Sequence, residues 1–231
     1  MTGANREHKG PLLRHSIGID VQVARGLACA ILRTDGSSCA ALWCEDPKSL
    51  FRQILSHLER DNGGLSTAVF AVDSPRRPLV VPREHYWDRA GRRWRPRRAS
   101  EAGFGRHCEI VISAHGLARP QWTPLVPEAP DWMKLGFEVF ACCGERSPVH
   151  EVFPSACYRQ LEGTSLPVQV DLGACSRGPK DMLDAHVCAA CAIEYEAGRG
   201  SAIGGGDGLG TIVLPRPLDQ PIREVLDWPD T

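Results

Sequence analysis

At 231 residues the chain is long enough to bury a sizeable single core, with room for an inserted lobe. Apolar content of 42% against 24% charged is that of an ordinary globular protein, and a formal net charge of -1 excludes a chain-wide attraction to nucleic acid or membrane, so any such attraction must be local. No run is long enough to span a bilayer and the first residues carry no apolar signal region, so the expectation is a cytoplasmic protein with a disordered leader over residues 1–15.

The first predicted element is a hairpin. Ile17, Ile19 and Val21 alternate with Gly18, Asp20 and Gln22, and after a turn at Ala24 to Gly26 the run Leu27 to Leu32 is a second strand. Asp20 therefore falls inside or at the end of a strand, where its charge must be solvated in a cleft, hydrogen-bonded or neutralised by a cation. Cys39 to Cys44 reads as a third strand, completing an antiparallel meander. Asp46-Pro47 caps a helix with apolar positions Leu50, Phe51, Ile54, Leu55 and Leu58, ending near Asn62-Gly63-Gly64. Thr67 to Asp73 is a continuous apolar run, the pattern of a central strand covered on both faces. Asp73 ends it, and a strand beside the first would bring Asp20 and Asp73 together at the carboxyl edge of an open sheet, where ligands bind. The plainer reading makes Asp73 the start of an Asp-Ser-Pro turn.

Residues 76–106 change character, with ten arginines against Glu84, Asp88 and Glu101. Arg92, Arg93, Arg95, Arg97 and Arg98 form a local electropositive run suited to bidentate phosphate contact, and Trp87 and Trp94 offer stacking platforms for unpaired bases. The alternative is a solvated loop. Either way Pro78, Pro82, Pro96 and Gly91 deny the block a long helix, and charge repulsion predicts that it is the least ordered part of the chain without a partner.

Ser100 to His115 is predicted helical, Pro120 to Pro130 an irregular connection, and Asp131 to Cys143 a helix. His150 to Pro154 is a short strand carrying Glu151, with a short helix from Ser155 to Leu161; Glu151 is open between a functional carboxylate and an edge-strand surface charge. The longest helix runs from Asp181 to Glu196, with Asp181 and Asp184 on one face of its first turn, as site groups or simple capping residues. Cys188 and Cys191 lie mid-helix without a second pair, and the cysteines in apolar runs read as small buried hydrophobes. The glycines from Gly204 to Gly210 lack a phosphate-loop Lys-Ser/Thr and read as the turn leading into a last strand, Leu209 to Pro215.

The segments Gly18-Ile19-Asp20, Ala71-Val72-Asp73-Ser74-Pro75, Glu151-Val152-Phe153-Pro154-Ser155 and Asp181-Met182-Leu183-Asp184-Ala185 together resemble the DUF429 family of predicted nucleases with an RNase H-like fold. The resemblance covers about residues 16–216, with the Arg-rich stretch 76–106 as an insertion unassigned by the family pattern and 217–231 as a C-terminal tail. It implies an α/β fold with a five-stranded mixed sheet, order 3-2-1-4-5, and helices on both faces. It also implies a central acidic cluster of Asp20, Asp73 and Asp184, with Glu151 as further ligand or water-orienting group. Such carboxylates suit Mg²⁺ or Mn²⁺, and two ions, bridged by Asp20, would serve phosphodiester hydrolysis of DNA or RNA. A non-catalytic binding or scaffold protein of the same fold is the alternative, with a Mg-nucleotide-dependent phosphotransferase or ATPase behind it.

Overall fold

The computed structural model describes residues 13–144, 147–162 and 166–229. Three antiparallel strands open the chain, β1 (His15–Gln22), β2 (Gly26–Arg33) and β3 (Ser38–Cys44), followed by α1 (Pro47–Arg60) and β4 (Ala68–Asp73). Of the expected leader, residues 1–12 lie outside the described residues, while His15 already belongs to β1. Helix α1 starts where Asp46 accepts the backbone N–H groups of Lys48 and Ser49 and Pro47 fills a position that needs no donor.

Next come a hairpin, β5 (His85–Asp88) with β6 (Arg93–Pro96), and the helices α2 (His107–Ala114) and α3 (Asp131–Gly144). Then follow β7 (Val149–Val152), α4 (Pro154–Leu161), α5 (Pro179–Glu196), β8 (Ser201–Gly204), β9 (Thr211–Leu214) and the short α6 (Arg223–Leu226). The main sheet is mixed and seven-stranded, in the order β3-β2-β1-β4-β7-β9-β8. The expected five-stranded order is thus present as its first five positions, but the sheet is larger. The glycine-rich segment is the turn of an added antiparallel hairpin, β8 with β9, and β9 runs parallel to β7. Gly204, Gly205, Gly208 and Gly210 all take positive φ, which is what that tight reversal requires.

Strand alternation divides the core. Ile17, Ile19, Val21, Phe70 and Val72 face α1 and α3, while Val69 and Ala71 face the side of α5. Helix α5 lies directly on β1, because Gly18 has no side chain: a Cβ there would overlap the Ala185 carbonyl and the Ala189 amide. Ser16 Oγ donates to the Ala189 carbonyl at 2.8 Å, one step along the same line of contact. Ser16, Gly18 and Asp20 share a face, so the line that seats Ala189 and Ala185 continues to the first two turns of α5, which carry Asp181 and Asp184.

The arginine-rich segment is not the unstructured loop that its charge suggested. Trp87 pairs with Trp94 across the β5–β6 hairpin, ring centroids 5.5 Å apart, and the Trp94 indole donates to the Glu224 and Asp227 carbonyls at 2.9 and 2.8 Å. Trp228 packs edge-on against Trp94 at 5.0 Å, so the hairpin and the C-terminal segment hold each other. Arg95 pairs with Glu101 at 2.5 Å and Arg89 donates to the Ser113 carbonyl, which offsets part of the repulsion. The helix expected from Ser100 begins only at His107; residues 100–106 are a loop turned by Gly103 and Gly105, both at positive φ. Among the described residues no helix is long and apolar enough to cross a membrane.

Candidate metal centre

Asp20 and Asp73 are partners in the parallel register of β1 and β4, on the α5 side of the sheet, and Asp184 reaches them from the second turn of α5. One carboxylate oxygen of each lies within 4.8 Å of the others. Asp20 is 2% exposed, and its Oδ2 is buried with no hydrogen-bond partner among the described residues. A charge in that position is costly, and burial together with Asp184 and Asp181 pushes the Asp20 carboxyl up to about 7. Asp73 is raised too, by burial first and then by Asp20 and Asp184. With both carboxyls raised and side by side in the strand register, the cation-free pair retains a proton.

Asp184 is held differently. Lys180 Nζ lies 2.7 and 2.6 Å from its two oxygens, and Tyr158 Oη from α4 donates to Oδ1. Burial and Asp184 together raise the Tyr158 hydroxyl well above its ordinary value, so it stays a donor. Asp181 is clamped by Arg25, Nε to Oδ2 at 2.5 Å and Nη2 to Oδ1 at 3.1 Å, which leaves it a charge near Asp20 but not a free ligand.

Glu151 does not join the cluster. It is in register with Val72, whose side chain faces α3, so strand parity turns it to the opposite face from Asp20 and Asp73. There it accepts the Arg76 backbone N–H at 2.9 Å and two bonds from Arg106, one of them at 2.7 Å. It is thus a buried ion-pair partner of Arg106 on the wall of the cleft that Asp20 and Asp73 border, outside the group of three aspartates in which it was expected. Burial works against the Arg106 charge, but Glu151 and Glu109 outweigh it and hold the guanidinium above its ordinary pKa.

Asp20 and Asp73, but not Asp184, border a cleft of about 410 Å³, whose wall also includes Glu151, Arg106, Arg119, Trp132, Phe153 and Ser155. None of Arg92, Arg93, Arg95, Arg97 and Arg98, nor Trp94, lines it. Trp94 is enclosed by Trp87, His107 and Trp228 rather than offered as a free face. Sequence reasoning missed Arg119 and Trp132, which sit singly in segments with no motif, and Tyr158 and Lys180, whose role depends on contacts across elements.

A second group of ligand-type side chains, His15, Cys39 and Asp61, lies at the other end of β1. Asp61 is already saturated by Arg33, at 2.8 and 2.6 Å, and by His15 at 2.7 Å, and these bonds hold its carboxyl down at about 2. That group is a structural tie between β1 and the end of α1. Comparison of the chain with protein-family models, with curated proteins and with solved structures finds no match.

Proposed function

We propose that the protein is a metal-dependent phosphodiester hydrolase, a nuclease of the RNase H-like, DUF429 type, in which Asp20, Asp73 and Asp184 hold Mg²⁺ or Mn²⁺. The observation that carries this reading is the buried, unpartnered Asp20 Oδ2 in a group of three carboxylates within 4.8 Å. Three carboxylates and no soft ligand suit a hard divalent cation. Their spacing favours this reading over a non-catalytic binding protein, which has no need to hold like charges so close. Such an ion supplies a water activated at neutral pH and charge stabilisation for the leaving oxygen.

The chain's own residues have definable parts in it. The β1–β4 register fixes Asp20 against Asp73, and Tyr158 orients Asp184. Lys180, whose side chain is 64% exposed, neutralises Asp184 until a cation does so and is free to swing away. The test is cleavage of single-stranded and duplex DNA and RNA with Mn²⁺. Asp20→Asn is expected to lower the rate at least about a hundredfold and to weaken Mn²⁺ binding, with the fold intact by circular dichroism. No cleavage of any of these substrates, together with unchanged Mn²⁺ affinity in Asp20→Asn, rejects the proposal.

A nucleic-acid partner for the arginine-rich hairpin belongs to the same reading. Arg93 and Arg98 are exposed and have no side-chain partner among the described residues; Arg92 and Arg97 are exposed with single weak ties, to Glu224 at 3.5 Å and to the Glu101 carbonyl at 3.1 Å. Replacing these four by alanine, and keeping Arg95 to hold the hairpin, should weaken oligonucleotide binding. It should also flatten the dependence of log Kd on log salt by about three for a single strand. Equal slopes for variant and wild type would remove the hairpin from the interface.

A further inference from the structure

The shape and lining of the cleft narrow the substrate, and the argument rests on the hydrolase reading above. The carboxylates do not sit on an open surface. Asp20 is 2% exposed and borders a concave space of about 410 Å³, in the size range of pockets that enclose small ligands. A phosphodiester in an intact duplex lies on the outside of a wide cylinder, with its bases turned inward and unavailable to such a space.

The walls carry what one nucleotide needs. Trp132, on the first turn of α3, shares a helix face with Gly136, four residues on. Gly136 lies against Ser74, so close that a Cβ would overlap the serine side chain, which seats α3 on the chain just after Asp73 and brings Trp132 to the cleft. The ring is partly exposed and has no partner among the described residues. Arg119 enters from the loop after α2, exposed and likewise unpaired. That loop is pinned at Thr123, whose backbone N–H donates to Glu109 at 2.9 Å. The other guanidinium in the cleft, Arg106, is spent on Glu109 and Glu151. Ser155, at the second position of α4, adds a free hydroxyl at the positive end of a helix.

We propose that the cleft binds a single unpaired nucleotide, with its base stacked on Trp132 and its phosphate between Arg119 and the cation held by Asp20 and Asp73. The substrate class is then a single strand, or a strand end frayed open, and a nucleoside monophosphate is the minimal ligand. Extrusion of one nucleotide into a pocket costs least when the strand is already unpaired.

The test titrates thymidine 5′-monophosphate and ribose 5-phosphate into wild type, Trp132→Ala and Arg119→Ala by calorimetry, with and without Mn²⁺, and titrates Mn²⁺ alone into each. Trp132→Ala is expected to weaken thymidine monophosphate about tenfold or more while leaving ribose phosphate unchanged, since only the former has a base to stack. Arg119→Ala is expected to weaken both. Thermal melts confirm that the variants fold, and Trp132→Phe, which keeps a ring, should recover most of the lost affinity. A single-stranded oligothymidylate should compete for the site and the matching blunt duplex should not. Nucleotide binding that is absent, or equal in all variants, overturns the inference, as does equal competition by the duplex. The Mn²⁺ titration reports separately on the carboxylates: normal Mn²⁺ binding with no nucleotide binding leaves the metal centre standing and removes only the nucleotide subsite. Nucleotide binding that responds to both variants while the Mn²⁺ titration shows no binding keeps the subsite and removes the metal.

Discussion

Raising the pH of the cation-free protein from 4.5 to 8 is expected to lower its unfolding free energy by about 3 kcal/mol through Asp20 alone. The sign follows from the direction of the shift. An unfolded aspartate ionises near 3.8, whereas in the folded protein burial and the Asp184 and Asp181 charges push Asp20 up to about 7. Between those values the folded state binds a proton that the unfolded state has released, so stability falls as pH rises and levels off above 7. Asp61 and Glu101 run the other way, both held down at about 2 by arginine, but their stabilisation is already complete above the unfolded carboxylate values. His57 and His186, lowered by burial, oppose the trend below their ordinary value of 6.5, and they do so in any variant of the cluster.

The comparison that isolates Asp20 is therefore urea denaturation of wild type and Asp20→Asn across this pH range. The variant lacks the Asp20 carboxyl while Asp73 still titrates, and it should lose less stability than the wild type over this range. Saturating Mn²⁺ should reverse the wild-type trend, because the ion competes with the retained proton; at a hundred times its Kd it adds about 2.7 kcal/mol. Identical pH profiles for the two proteins would show that Asp20 is not the strained carboxylate described above.

The parts of the fold legible in the sequence are those whose pattern is local. Alternation in Ile17, Ile19 and Val21 marked β1, Asp46-Pro47 marked the start of α1, and the apolar run ending at Asp73 marked a covered strand; in the structure β1 and β4 are neighbours. Where the outcome depended on register or on a distant partner, local pattern failed. Glu151 stands in a strand among other site-like segments, but a one-residue difference in parity decides which face it takes, and its partner Arg106 is 45 residues away. The β5–β6 hairpin was hidden by its arginines: repulsion among them is visible in the sequence, whereas the compensating Trp94–Trp228 contact and the Arg95–Glu101 pair exist only once the chain has folded. Strand β8 is four residues long and flanked by glycines, too short to show a period.

Replacing Arg106 with methionine is expected to cost about 3–5 kcal/mol. The side chain is 1% exposed and each of its three nitrogens is bonded: Nε to Glu109 and Thr123, both at 3.1 Å, Nη1 to Glu151 at 2.7 Å, and Nη2 to Glu109 at 2.9 Å and to Glu151. Methionine of similar length fills the space but leaves two carboxylates, each about 3% exposed, without the guanidinium that bonds to both. Against a total stability of about 5–15 kcal/mol for a protein of ordinary size, that loss brings the variant close to unfolding. The penalty belongs to the stranded charges rather than to the missing contacts, and a triple variant separates the two: Arg106→Met with Glu109→Gln and Glu151→Gln removes all three charges and should recover most of the stability. Chemical denaturation of the single and triple variants measures both. A single variant within about 1 kcal/mol of wild type, or a triple variant no better than the single, would mean that Arg106 is not the residue on which the two buried glutamates depend.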